Sequence, residues 1–450
     1  MTAALLSTLV GIVGRDHCLG GADRGPFVVE GRTPAAVVFP GTAEDASRVV
    51  AAAAAAGVPV IPWGGGTQMH LGTAPPDGAV VVVTRRLARV IEHEPGDLTA
   101  TVEAGLAIDD LQAALGARGQ WLSLDPPFPA RATLGGVLAT NASGPRRYLY
   151  GTVRDLVIGM RVVGPDGSLV RSGGKVVKNV AGYDLVKLYI GSLGTLGLIV
   201  EATIKLRPRP EADRACWAAF DSLGAAAAAV SRVMGSDLLP HSLEFLDAGA
   251  IAACAAALGL PARDGGAAAL LIGFDGLRRT VAWQVDEAER LLRDAGARGV
   301  TPLEDGVAQQ AVAFVRDIRA AVPEPLAVAR VAVLPKEVGP YAAAAAQAAR
   351  AAGLRVLTTA HAGSGVLSLV LTGAAGTAPG VPAMVTALAA LRAEAKTLGG
   401  QCVVEWAPLA VKEQVPVWDE PGAAGRFMQR IKAQVDPQGI MNPGRFIGGI

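Results

Sequence analysis

The stretch that most constrains this chain is TPAAVVFPGTAEDASRVVAAAAAAGVPVIPWGGGT, residues 33–67. A β-branched run stops at Pro40 and Gly41. Thr42, the acids Glu44 and Asp45, an alanine body and Gly57 then supply the cap, first turn and stop of a helix. VPVIP (58–62) reads as a short buried strand, and three glycines follow it at once. Glycine loses more backbone freedom on ordering than any other residue, so such a run is either a slack turn or a place of close main-chain approach. Successive N–H groups in an irregular glycine turn converge on anions, and Thr67 adds a hydroxyl. The chain has no G-x-x-x-x-G-K-[ST], and no G-x-G-x-x-G that opens a long helix with an acidic residue roughly 20 positions on. A phosphate held here is held by a different fold.

The rest of the first half continues as glycine-punctuated strands. AVVVVT (79–84) and LTATVEAG (98–105) read as strands, a helix follows over roughly 108–118, and 121–144 reads as a long loop. VIGMRVVGPDGSLV (157–170) has a Pro-Asp-Gly turn between two strand-like runs, which predicts a hairpin. The Pro-rich exit near 208–212 predicts a domain boundary. Beyond it, two broadly similar units follow. CWAAF (216–220), a helix, SLEFLD (242–247) and a strand at 269–274 form the first. AVARVAVLP (327–335), a helix over 340–352, RVLTTAHAG (355–363) and VLSLVLTG (366–373) form the second. The expected organisation is a first domain over 1–210, an α+β domain over 211–425, and a C-terminal helix and tail over 426–450.

Several functions are disfavoured at this level. Net charge is +1, so no bulk field draws the protein to nucleic acid or anionic lipid, and no basic patch interleaves with aromatics. Cys18, Cys216, Cys254 and Cys402 lie far apart without C-x-x-C spacing, which builds neither an iron–sulfur cluster nor a zinc site. No eighteen-residue apolar stretch runs free of Gly and Pro, so a membrane span is not expected. The expected location is the cytoplasm, with peripheral contact to the inner membrane only through a complex. Charged residues make up only 18% of the chain, which leaves surface for a partner protein.

Taken in order, PWGGGT (62–67), DPPFPARATLGGVLATNASG (125–144), YGTVRDLVIGMRVVGPDG (150–167), GGKVVKNVAGYDLVKLYIGSLGTLGLIVEATIKLRP (173–208) and DPQGIMNPGRF (436–446) resemble the flavoproteins of the vanillyl-alcohol oxidase and p-cresol methylhydroxylase (PCMH-type) superfamily. Within that group the chain is most similar to the GlcE-type subunit of bacterial glycolate oxidase. The resemblance implies an α+β fold, with a PCMH-type two-part FAD-binding domain and a second α+β cap domain. It implies noncovalent FAD, because His70 lies three residues beyond Thr67, off the family's linkage position. Trp63, Gly64, Gly65, Gly66 and Thr67 would lie along the pyrophosphate. Ala132, Thr133, Leu134, Gly135 and Gly136 would form a second wall, continued by Ser143 and Gly144, with the two glycines clearing room for the diphosphate. Gly151, Val153 and Ile199 fall where relatives contact FAD.

The same resemblance implies acid–base candidates. Lys178, with Tyr183 and Asp184 beside it, falls where relatives place a charge near the flavin ring. Arg330 matches a basic position able to pair with a carboxylate. The family's H-x-G-D-G-N-x-H run corresponds to HAGSGVLS (361–368): His361, Gly363 and Gly365 stand, while Ser364, Val366 and Ser368 replace Asp, Asn and the second His. No metal site is expected from that set. Glu244, His241 and Glu405 lie near predicted strands with no spacing to join them. The implied function is oxidation of glycolate to glyoxylate by a complex with a GlcD-type flavoprotein and a GlcF-type iron–sulfur subunit, in which this chain supports or relays. Two alternatives stay open: an autonomous FAD-dependent dehydrogenase of glycolate or D-lactate, and an assembly subunit without catalysis.

Overall fold

The computed structural model describes residues 2–174, 184–259, 266–322, 324–373 and 379–450. The chain divides into two compact units. The first holds residues 1–143, 151–209 and 420–450, and the second holds 144–150 and 210–419. Both mix sheets and helices, so the α+β class holds, with a first unit and a separate second one.

Among its described residues the first unit has two main sheets and a two-stranded pair, Gln120–Trp121 with Arg207–Pro208. In one, Ala36–Val38, Val80–Val83 and Val60–Trp63 run parallel, with Cys18–Leu19 antiparallel at the edge. The strand–helix–strand unit at its centre forms as the sequence dictates. Thr42 accepts from the Asp45 N–H and the Asp45 side chain returns to the Thr42 N–H, which starts the helix Ala43–Ala55. Its Ala46, Val49, Val50 and Ala53 face Val38, Val60 and Val82 in a core completed by Leu5, Leu9 and Val13 of the helix Ala3–Val13. Val80–Val83 is buried at every position, as a strand covered on both faces must be. The second sheet is antiparallel, in the order Val90–Glu94, Thr99–Glu103, Leu198–Lys205, Val157–Val163, Leu169–Gly173, and the Pro-Asp-Gly turn joins its last pair as expected. The expected long loop over 121–144 instead contains a seven-residue helix, Leu134–Thr140, capped by Thr133. Two glycines in its first turn hide it from propensity, since glycine is the weakest ordinary helix former.

The second unit is an eight-stranded antiparallel sheet. Its order is Gly299–Leu303, Ala212–Phe220, Ala268–Gly276, Ser242–Asp247, Leu354–His361, Val366–Gly373, Ala327–Ala332, Gln401–Trp406. Numbered by sequence within each half, the order is fourth-first-third-second followed by second-third-first-fourth. Two similar halves are therefore joined through their second strands. The helices Leu223–Met234, Arg278–Asp294, Val338–Ala351 and Val381–Thr397 pack on one face, where alanines such as Ala229 and Ala345 permit close approach. Ala248–Leu258 and Asp305–Arg316 cover the opposite face around Trp217, Leu271, Val328 and Val370.

Candidate functional site: a glycine-walled cleft and a polar sheet face

A cleft of about 750 Å³, open solvent included, lies in the first unit. Trp63, Gly64, Gly65, Gly66 and Thr67 form one wall, and Thr133, Gly135 and Gly136 form another. Ile199 lines it from the strand Leu198–Lys205, next to Leu193, Gly194 and Gly197. Ala132, Ser143, Gly144, Gly151 and Val153 do not line it. Ala132 and Val153 are core residues, and Gly151 sits at φ +78° against the Asp155 carboxylate that caps the next short helix. Gly144 belongs to the second unit. Lys178 and Tyr183 lie outside the described residues, and Asp184 is exposed.

The glycines divide by what a side chain would meet. A Cβ on Gly65 would stand 1.6 Å from the Arg131 carbonyl oxygen, and one on Gly135 would stand 2.7 Å from the Ala104 methyl. These two glycines let protein segments touch, so the room expected for a ligand beside Gly135 is taken by Ala104. Gly66 is different: its φ is +74°, which only glycine adopts without strain. At Gly136 an added Cβ would meet only the Thr133 hydroxyl, at 3.3 Å, so its open side is the cleft. The N–H groups of the first helical turn are already engaged: Leu134 donates to Leu106, Gly135 to Ala104 at 2.7 Å, and Gly136 to Thr133 Oγ1. In the glycine turn, Gly64, Gly65 and Gly66 line the cleft with main chain alone.

The C-terminal tail completes the cleft. Arg445 is 2% exposed, and its guanidinium donates to the carbonyls of Thr73, Met69 and Leu71. Burial brings it down to about 10. The tail thus holds the loop that follows the glycine turn. Asn442 donates from Nδ2 to the Leu193 carbonyl at 2.6 Å, and both residues have left-handed backbone, at φ +41° and +53°. A leucine at such a φ is strained, and strain of this kind collects at functional sites. Gln68 Oε1 and Asn442 Oδ1 are buried in this wall without a hydrogen-bond partner. Bare main chain, buried acceptors and an apolar rim suit a nucleotide cofactor with a diphosphate and several hydroxyl and amino donors. His70 does not line the cleft; its ring is 59% exposed and meets Glu30 at 3.2 Å.

In the second unit, polar side chains gather on the sheet face opposite the four-helix layer. Strand alternation puts Glu244 and His361 in one cross-strand row, and Thr359, Ser368 and Arg330 in the next. His361 Nδ1 lies 2.8 and 3.0 Å from the two oxygens of Glu244, which is completely buried. Arg330 Nε lies 3.4 Å from Glu405. The structure thus pairs two acids that the sequence left unassigned. The only signal for Glu244 is an acid set between the apolar Leu243 and Phe245 of the strand SLEFLD. The motif glycines have local reasons: the Tyr148 ring fills the space beside Gly363, and Gly365 turns at φ +68° against the Val333 carbonyl. Ser368 stands between Thr359 and Arg330. Among the described residues no group of three potential ligands could hold a metal ion. His241 is an anchor, fully buried on Asp213 at 3.1 Å. Arg146 bridges Asp213 and Asp275, and Tyr150 donates to Asp275 at 2.6 Å. Burial pushes His241 down; it also pushes Asp213 up, but the bonds from His241 and Arg146 outweigh it and leave Asp213 below its ordinary value.

Comparison with known proteins accounts for both parts. Residues 34–173 match the FAD binding domain family, and 209–446 match the C-terminal domain of the FAD linked oxidases. The glycolate oxidase subunit GlcD of Bacillus subtilis is 31% identical over 92% of this chain and 88% of its own. The D-lactate dehydrogenase of Archaeoglobus fulgidus is 30% identical over 91% of each chain. Among solved structures, 4-ethylphenol oxidase from Gulosibacter chungangensis covers 98% of this chain and 96% of its own, with a TM-score of 0.75 at 19% identity. p-Cresol methylhydroxylase gives 0.74 over the same shares at 17% identity. At those identities the two structures establish the fold, which is that of the PCMH-type flavoproteins. The FAD binding domain match takes in both glycine walls of the cleft, and FAD is held noncovalently. A cleft fitted to FAD and two family matches that together span most of its length make this chain a member of the FAD-linked oxidases.

Proposed function

We propose that this chain itself oxidises a small 2-hydroxy acid of the glycolate or D-lactate class to the 2-oxo acid. The observation that carries this reading is the polar sheet face: the second unit holds its own histidine, paired with a buried acid, and its own guanidinium. Full-length similarity to a glycolate oxidase subunit and a D-lactate dehydrogenase supports the substrate class. FAD supplies the two-electron sink that takes a hydride equivalent from the substrate carbon. His361 takes the hydroxyl proton, and Arg330 pairs with the substrate carboxylate. Lys178 remains a proposed flavin-side charge, in a segment outside the described residues.

A second reading, support or relay within a complex of GlcD-type and GlcF-type subunits, draws on the departures Ser364, Val366 and Ser368. The two readings separate in one assay. Glycolate- and D-lactate-dependent dye reduction is measured per bound flavin for the isolated chain. The autonomous reading expects sustained turnover, reduced by about 10²–10⁴-fold in His361→Ala. Turnover that appears only after partner subunits are added would overturn it.

A further inference from the structure

We infer that Glu244 is the positioning residue for His361: it fixes the imidazole as the Nδ1–H tautomer and leaves Nε2 as the proton acceptor. The inference rests on the proposed role of His361 as base, and it begins from the sheet. Ser242–Asp247 and Leu354–His361 are the second strands of the two halves, and they meet with Glu244 directly opposite His361. Their pairing is therefore a product of how the halves join.

Glu244 has no exposed surface, yet both its oxygens lie within 3.0 Å of one ring nitrogen. An ionised carboxyl can only accept, so the proton between the two groups sits on Nδ1. In the neutral ring the other nitrogen then carries a lone pair. When Nε2 gains a proton, the positive charge spreads over a ring that rests on the Glu244 carboxylate. Tyr148 packs on Gly363 two residues along, and the Arg330–Glu405 pair lies across the intervening strand Val366–Gly373. Neither offers Nδ1 a competing acceptor among the described hydrogen bonds.

The alternative is a buried acid kept only for packing. Glu244→Gln distinguishes the two, because it preserves volume while its amide can present either an acceptor or a donor to Nδ1. Histidine ¹⁵N spectra of the FAD-loaded wild type and variant report the tautomer directly, and His361→Gln assigns the signal. The wild type should show a protonated Nδ1 and an unprotonated Nε2. In Glu244→Gln the signal should move toward the Nε2–H form, with bound flavin unchanged and turnover per flavin down by about 10²–10⁴-fold. An unchanged tautomer in both Glu244→Gln and Glu244→Leu, which removes the acceptor outright, overturns the inference, whatever the activity. A changed tautomer in a chain that oxidises no 2-hydroxy acid leaves Glu244 as the positioning residue and defeats the proposed reaction instead.

Discussion

Single residues decide how the cofactor cleft is built, and the two kinds of glycine give opposite expectations. Valine at Gly65 or Gly135 would collide with Arg131 or Ala104, so loss of FAD in those variants would report a broken wall and not a blocked ligand. Gly136→Ala is the cleaner change. Its methyl meets only the Thr133 hydroxyl, and replacing glycine inside a helix gains up to about 1 kcal/mol. Thermal stability of the apoprotein should hold or rise while FAD affinity falls, read by fluorescence titration. Equal affinity would show that Gly136 faces no ligand. Arg445 acts at the same scale. Arg445→Met should loosen the Met69–Thr73 loop and weaken FAD, since three carbonyls would lose their donor inside the protein.

At the scale of elements, the tail and the seam between sheet halves carry the arrangement. The helix Gly425–Val435 is tied down by Lys432, whose ammonium reaches Asp436 at 2.5 Å and the carbonyls of Thr195 and Met441. Asp436 also accepts from the Ile440 and Met441 N–H groups, so the pair sets the turn that leads to Asn442 and Arg445. Lys432→Met leaves that carboxylate buried and unpaired, which should cost about 3–5 kcal/mol in a denaturant titration and weaken FAD as well. A loss below about 1 kcal/mol would mean the tail is held by its apolar contacts. In the second unit, Asp247 caps the helix Ala248–Leu258 and also accepts from the Thr358 N–H. Burial, only partly offset by those bonds, raises it to about 6. A carboxyl raised on folding contributes its full stability below its unfolded value and loses it as pH climbs through the folded one. Its share should therefore decline between about pH 4 and 6, by about 3 kcal/mol, and the wild type minus Asp247→Asn difference isolates it. Parallel pH slopes for the two proteins would contradict this.

For the whole molecule, what could be read from the sequence followed how local the signal was. The capped helix before the glycine turn, the Pro-Asp-Gly hairpin and the repeated strand–helix pattern rest on neighbours in the chain, and each formed. The helix Leu134–Thr140 was hidden by its two glycines, and its existence depends on contacts with Leu106 and Ala104. The Glu244–His361 pair depends on which strands of two halves meet, and nothing within either strand specifies that. Gly144 reads as part of the flavin wall, yet Arg146 and Tyr150 bind the segment it opens to acids more than sixty residues away in sequence. The proposed reaction needs only this chain, with FAD as electron acceptor and His361 as base. Anaerobic rapid mixing of the isolated, FAD-loaded chain with glycolate or D-lactate tests it most directly. At least one of these acids should bleach the flavin's visible band completely in one exponential phase, slowed by about 10²–10⁴-fold in His361→Gln. A fully loaded flavin that stays oxidised with both acids, or bleaches equally fast in the variant, would contradict it.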